Sequence, residues 1–361
     1  MTWRQWSIGK PALTGVVLVL VTMWQTPSPA ADTPVPKANS TVGMARAPRA
    51  VSLVNQKVYF ATNRRRTDTR SPSQQFTGDR AETVNFGSAR VAMAASVEDD
   101  HLVMPETSAV HSLSWSELAS RLAKASRVLI VIHGFNSTFE EAAVSAALLK
   151  RNLRTEAAVL MVSWPSQGQW ASYLQDEEEA DLSVGMLASV LADVAKALGP
   201  GRIQLFAHSL GSRLAVKALS RIFTSTRREI LRSISQIVFA APDVYRDLMD
   251  EEFLPMLEEQ RIPTTIYVTD PDFWIGLSEL LHRHLRVGGF WSRSVYLRPL
   301  ITTIDVTAVD NTFTGHSVAF ASPHVLLDLY LLLERELPPE QRPWLWKIDL
   351  ANGSYWRLLP R

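Results

Sequence analysis

The sequence predicts an α/β protein with a mostly parallel sheet of eight strands, flanked by helices and followed by a C-terminal hairpin extension. Three observations lead there. From residue 51 onward, short β-branched runs alternate with helical stretches, the pattern of parallel strands joined by crossover helices. The middle runs are almost continuously apolar, as strands covered on both faces must be. One of them, "RIQLFAHS", passes into the helical "SRLAVKALSRIF" through "HSLGS" with no intervening loop.

Residues 1–30 read as a secretory signal. Arg4 and Lys10 precede the apolar "PALTGVVLVLVTMW", and Ser28-Pro29-Ala30 fits small-x-small cleavage after Ala30. An uncleaved anchor is the alternative, although the apolar stretch falls short of the ~20 residues of a spanning helix. Either way the body is expected outside the cytoplasm, periplasmic or secreted, meeting the membrane only through this segment. The proline-rich, aperiodic residues 31–50 form a flexible linker. The main domain is expected at 51–337.

Its strands are expected at 57–62, 84–93, 127–135, 158–164, 202–209, 236–243, 264–270 and 301–309. A helix over 137–154 has Ser137 as its cap signal with Glu140 three residues on. A second, over 176–199, starts in acid and stops at Gly199-Pro200, and a third covers 212–223. "NRRR" at 63–66 reads as a solvated strand end. In the extension, 338–361, two aromatic-rich runs around Asn352-Gly353 predict a hairpin that covers an edge.

Composition narrows the function. A net charge of +1 offers no field for nucleic acid. The absence of cysteine removes thiol nucleophiles, thiolate metal sites and disulfides. No metal or organic cofactor is expected, and the oligomeric state is not legible.

Ser209 therefore stands as the candidate nucleophile, on a tight turn that presents its Oγ at the C-terminal edge of the sheet, where ligands bind in open α/β folds. Small neighbours are a steric requirement there. Gly211 meets it, and Ala207 stands where glycine is usual. A serine needs a base, and the base an orienting acid, in the chain order serine, acid, histidine. Of the eight histidines, His101 and His111 come too early, His133 belongs to a turn, and His208 adjoins the serine and is expected to point elsewhere. His282 and His284 fall in a helix. His316, after the flexible Gly315 in the loop following the eighth strand, is the candidate base, with His324 as the weaker alternative. The acid is Asp272 in "VTDPDFW", with Asp243 in "AAPD" and Asp270 as alternatives. Backbone N–H groups of Leu210 and Phe135 are the candidate oxyanion donors. Trp164, Trp170 and Tyr173, together with Trp274, Phe290 and Trp291, are candidate walls of an apolar acyl pocket, or else ordinary packing.

From "VYFATNR" (58–64) through "VLIVIHGFNSTFEEA", "VSWPSQG", "LFAHSLGSRL" and "FAAPDV" to "GHS" and "HVLLDLYLLL" (324–333), the chain resembles the α/β-hydrolase superfamily. More narrowly it is similar to the bacterial esterase/lipase-like branch catalogued as a domain of unknown function. The resemblance implies an α/β-hydrolase fold with Ser209 and His316 as nucleophile and base, and it places that family's aspartate on Asp272. The expected activity is hydrolysis of a small-molecule carboxylic ester. A thioesterase, acyltransferase or peptidase would use the same groups, and a catalytically silent binding or scaffold module of the envelope is the reading from another class.

Overall fold

The computed structural model describes residues 51–96, 99–289, 295–312 and 314–360. The leader and linker expected at 1–30 and 31–50 lie outside these. One compact unit spans Ala50–Arg361.

The strands are β1 (Leu53–Arg66), β2 (Phe76–Ala94), β3 (Glu106–Leu113), β4 (Val128–Ile132), β5 (Ala158–Ser163), β6 (Ile203–His208), β7 (Ile234–Ala240), β8 (Thr264–Val268), β9 (Ile301–Asp305), β10 (Leu345–Leu350) and β11 (Gly353–Leu358). They form one sheet in the order β10-β11-β9-β8-β7-β6-β4-β5-β1-β2-β3. From β11 to β1 every neighbouring pair is parallel, while β10 at one edge and β2 and β3 at the other run antiparallel to their neighbours.

The eight strands read from the sequence are all present. The sheet has eleven because β3 joins one edge and the terminal hairpin pairs with β9 at the other. β3, "ETSAVHSL", is mostly polar and half exposed, so it lacks the apolar run that marks a covered strand.

Alternation in the central strands builds two cores. Ile130 and Ile132 of β4, with Leu205 and Ala207 of β6, face one layer. Leu129, Val131 and Phe206 face the other. The first layer receives α1 (Trp115–Leu122), α4 (Val184–Leu198) and α5 (Leu210–Phe223), and the second receives α2 (Phe139–Asn152) and α8 (Pro323–Leu333). The longer of the remaining helices are α3 (Tyr173–Leu182), α6 (Leu254–Gln260) and α7 (Phe273–His282).

Three local expectations are corrected. The capping box of α2 is Thr138 with Glu141, not Ser137 with Glu140. The Ser137 carbonyl is taken by Arg64 at 2.6 Å, and Glu140 instead accepts from Thr107 N–H at 2.5 Å. The helix over 176–199 is two helices, α3 and α4, broken at Ser183, a buried residue whose hydroxyl accepts from Asn63 Nδ2 at 3.0 Å. The run 63–66 is only half solvated. Arg65 and Arg66 are exposed, but Asn63 and Arg64 are buried.

Candidate active site

The parallel strands β4, β6, β7, β8 and β9 end at one edge of the sheet, and the loops leaving that edge carry the candidate residues. Non-glycine residues with left-handed backbone follow three of these strands: Asn136 (φ 56°) after β4, Ser209 (φ 52°) after β6 and Ala241 (φ 45°) after β7. Each such conformation costs on the order of 1–3 kcal/mol and persists only where its surroundings over-determine it.

Ser209 sits between β6 and α5 with ψ −126°. Its N–H donates to Ala240 O (2.9 Å), and its carbonyl accepts from the N–H groups of Ser212 (2.9 Å) and Asp243 (3.2 Å). The turn needs room. A Cβ on Gly211 would lie 2.3 Å from the His133 carbonyl oxygen, and one on Gly134 would lie 2.8 Å from Ser209 Cβ. Leu210 opens α5, so its N–H has no intrahelical acceptor.

The candidate base and the candidate acid meet, whereas Ser209 Oγ makes no hydrogen bond to His316 Nε2. His316 Nδ1 lies 2.8 and 3.0 Å from the two carboxylate oxygens of Asp272. Their loops are stitched together by a Phe273 N–H to Thr314 O hydrogen bond of 3.0 Å. Gly315 (φ 74°) allows the approach, since a Cβ there would lie 2.3 Å from Pro271 O. Asp272 also caps α7, accepting from the Trp274 and Ile275 N–H groups at 3.1 Å each. A carboxylate gripped this way holds the imidazole with its Nδ1–H toward the acid and Nε2 free. His316 Nε2 is buried without a hydrogen-bond partner. Burial alone lowers the His316 pKa, but the charge and hydrogen bond of Asp272, with a smaller contribution from Asp243, raise it above the ordinary histidine value.

The alternatives are placed elsewhere. Asp243 is buried and engaged by Tyr173 Oη (2.5 Å), Ser278 Oγ (2.8 Å) and Arg286 Nε (3.0 Å), so its contact with the base is electrostatic. The Asp270 N–H donates to Thr307 Oγ1 at 2.9 Å. The His324 ring packs edge-on toward Trp344. His208 does not point away, as expected from sequence. Its Nε2–H donates to the His316 carbonyl at 2.9 Å, so it braces the base from behind.

Of the expected pocket walls, Trp274 lines a cavity beside the site, together with Phe135. Trp164 is fully buried, stacked on His133 at 5.0 Å and donating Nε1–H to the His133 carbonyl, so it is core packing. Trp170 is 60% exposed, and Tyr173 packs edge-on to Phe135 while its hydroxyl serves Asp243. Phe290 and Trp291 lie outside the described residues.

Sequence reasoning missed the residues that hold the loop after β4. Arg64 donates Nε–H to Ser163 Oγ (2.8 Å), Nη1–H to the carbonyls of Ser166 (2.8 Å) and Thr77 (3.2 Å), and Nη2–H to that of Ser137. Burial lowers its pKa to about 9, against the opposing pull of Asp176 and Glu141. Asp176, buried in α3, accepts from the N–H groups of Asn136 (3.0 Å) and Gln167 (2.8 Å) and from Ser166 Oγ (2.5 Å). A chain of polar contacts then reaches the oxyanion candidate. Ser163 Oγ lies 3.4 Å from His133 Nε2, and His133 Nδ1–H donates to Gly134 O at 2.8 Å. The peptide is planar and trans, so pinning the Gly134 carbonyl aims the Phe135 N–H the opposite way. A signal for Arg64 existed: residues 58, 60, 62 and 64 share one face of β1, and Val58, Phe60 and Thr62 are buried. Asp176 likewise falls in the i, i+3, i+4, i+7 set Tyr173, Asp176, Glu177 and Ala180 that α3 turns inward.

A family model described as "Alpha/beta hydrolase of unknown function (DUF900)" matches residues 112–335. No curated protein matches the chain. Similar solved structures include a CIB-like hydrolase from Thermoplasma acidophilum, at 12% identity over 69% of this chain and 94% of that one, with a TM-score of 0.33. Another is a hyperthermophilic esterase from the archaeon Pyrobaculum calidifontis, at 13% identity over 79% and 86%, with a TM-score of 0.34. A third is the RedJ thioesterase of the prodiginine biosynthetic pathway in Streptomyces coelicolor, at 16% identity over 60% and 92%, with a TM-score of 0.33.

Burial lowers the pKa of His133 and of His208 to about 3, with Arg64 adding to the effect at His133 and His316 at His208. Both are depressed below the unfolded value, so as pH falls below it the unfolded chain takes up protons that the native state refuses. Stability is therefore lost with falling pH, at about 1.4 kcal/mol per pH unit for each group. Because His316 shifts the opposite way, its effect falls above this window. Chemical denaturation at about pH 7 and about pH 4 checks this: in His208→Gln the acid loss should shrink by on the order of 3 kcal/mol, and an unchanged loss would refute it.

Proposed function

The chain belongs to this family of alpha/beta hydrolases, and on that premise we propose that it is a serine hydrolase that cleaves carboxylic esters through Ser209, His316 and Asp272. The observation that carries the reading is the Asp272–His316 contact, at 2.8 Å, with the distal nitrogen of the same imidazole left unpartnered. A histidine oriented from behind is suited to serve as a general base, and its hydrogen bond to Ser209 Oγ, not formed in this structure, is of the kind that tightens when substrate binds.

The proposed reaction runs in two halves. Ser209 Oγ attacks the ester carbonyl carbon as its proton passes to His316 Nε2, and the carbonyl π electrons move onto oxygen. The N–H groups of Leu210 and Phe135 stabilise that oxyanion. When it collapses, the C–O bond to the alcohol breaks, and the alkoxide leaves with the proton from His316. Water then attacks the acyl-serine, giving its proton to His316, and a second collapse returns the proton to Ser209 and releases the carboxylic acid. Asp272 orients the imidazole and stabilises the imidazolium. Arg64, Asp176 and His133 act as positioning residues on the Phe135 peptide.

Nucleophile and base work as a unit, so their losses cannot add. Ser209→Ala should lower kcat on the order of 10⁶-fold, His316→Ala about as much, and the double variant little more than either. Thermal midpoints measured beside kcat separate this from a structural serine. Additive losses, or a Ser209→Ala protein that is unstable yet active, would refute the proposal.

The raised His316 pKa fixes a sign for the pH profile. The base acts when neutral, so the acid limb of kcat/KM should rise through a pKa above the ordinary histidine value. Asp272→Asn removes the main attraction and should move that limb to lower pH while cutting turnover on the order of 10⁴-fold. Asp243→Asn should move it the same way by less. A limb that shifts more for Asp243→Asn than for Asp272→Asn would reassign the acid.

Export is proposed on the charged start, the apolar stretch and Ser28-Pro29-Ala30. N-terminal sequencing of the protein from its native host should begin at Ala31 or, for an uncleaved anchor, at the intact start in a membrane fraction. An intact Met1 on protein from the cytosol overturns it.

A further inference from the structure

We propose that Phe320 sets the length of acyl chain the site accepts, and that the chain is a short-acyl esterase taking groups of acetyl to butyryl size. The inference deepens the ester-hydrolase reading and rests on it for the identity of the ligand.

The cavity beside the site has a volume of about 190 Å³. His208, His316 and the loop from His133 to Ser137 line it beside the candidate site, together with Ala142 and Ser145 of α2, Trp274 and Phe320, while Ser209 is not among its lining residues. That is smaller than the roughly 300–1,000 Å³ of pockets for drug-sized ligands. At about 30 Å³ for a water-sized group, it holds about six such groups. By that measure a butyryl group fits within the space, and a decanoyl chain is too long to be held in it entirely.

Beyond Phe320 the situation reverses. A hollow of about 990 Å³ is floored by Pro323, Leu326, Leu327 and Tyr330, with Arg151 and Asp100 paired across it at 2.6 Å. Phe320 is the one described residue that lines both spaces. Its ring packs edge-on to two residues on one face of β6, Phe206 at 5.6 Å and His208 at 5.2 Å, so turning it aside loses both contacts. An acyl chain longer than the cavity therefore meets a braced aromatic wall, although ample apolar surface lies behind it.

The test is a series of p-nitrophenyl esters, from acetate through butyrate to decanoate, on the full-length protein and on Phe320→Ala. With Phe320 present, kcat/KM should be highest for acetate or butyrate. Phe320→Ala should raise the decanoate-to-butyrate ratio about tenfold or more. Ser145→Leu, at a half-buried helix position that lines the same cavity, should instead lower butyrate relative to acetate, which keeps the proposal testable if Phe320→Ala folds poorly.

A second measurement does not need turnover. In Ser209→Ala, calorimetry should show butyrate binding without decanoate binding, and Phe320→Ala in that background should admit decanoate. That pattern without ester turnover in the parent protein would refute the hydrolase reading and leave Phe320 as the wall. Ser209-dependent turnover that favours decanoate with Phe320 in place, or a chain-length profile unchanged in both Phe320→Ala and Ser145→Leu, would overturn the role of Phe320 and leave the hydrolase reading standing. Neither binding nor turnover of the butyrate compounds would overturn both.

Discussion

A guanidinium enclosed in backbone carbonyls organises the functional edge of this fold. Arg64 sits at the inner end of β1, 1% exposed, and donates to groups from the β2 hairpin, the end of β5 and the loops after β4 and β5. Burying a cation costs several kcal/mol unless each donor finds an acceptor, and these neutral acceptors can be offered only if the loops hold one arrangement. Asp176 complements it from α3, satisfying N–H groups of the same two loops. Donor and acceptor sets of opposite sign thus clamp the segment from Gly134 to Gln167 without a direct salt bridge between them.

Because those loops are clamped, backbone strain survives where strands meet the site. Asn136 and Ser209 adopt left-handed conformations that a loose turn would relax, and Gly134 and Gly211 bring the two turns within van der Waals contact. Two buried histidines act as ties in the same region. His133 fixes the Gly134 carbonyl and His208 the His316 carbonyl, each by a single ring N–H. Neutrality suits both roles, because a proton on His208 would sit 4.8 Å, ring to ring, from the imidazole that is proposed to become charged.

Two buried aspartates near His316 illustrate how surroundings divide one chemistry into two tasks. Asp272 touches the imidazole and is held by the first turn of α7. Asp243 meets Ser278 of that helix, Tyr173 of α3 and Arg286, whose guanidinium lies 3.6 Å from the Tyr245 ring centre. Asp243 therefore anchors the helix whose cap is Asp272, and it biases the base only through space.

Much of this was legible before any fold was known. The parallel core, the serine on a turn without a loop, the histidine after a bending glycine and the aspartate in "TDPD" that meets it all depend on local sequence, through apolar runs, glycine and chain order; the catalytic roles of the last three are proposals. What residue type alone masked, and periodicity only hinted at, was burial of polar groups. Arg64 looks like its exposed neighbours Arg65 and Arg66, and Asp176 opens an acidic run, "DEEE", that resembles a solvated helix start. Trp164, His208 and Phe320 carry no mark in the sequence that says whether they line a cavity, brace a backbone or divide two spaces. Those assignments are decided by tertiary contacts, several of them between residues a hundred or more positions apart, such as Arg64 with Ser166 and His208 with His316. The sequence by itself determined which backbone turns and which chemical groups reach the sheet edge, because these follow from short-range sterics and periodicity. Only the tertiary structure decided which polar groups are sealed from water and against what, because the cost of desolvation depends on every neighbour that packing brings.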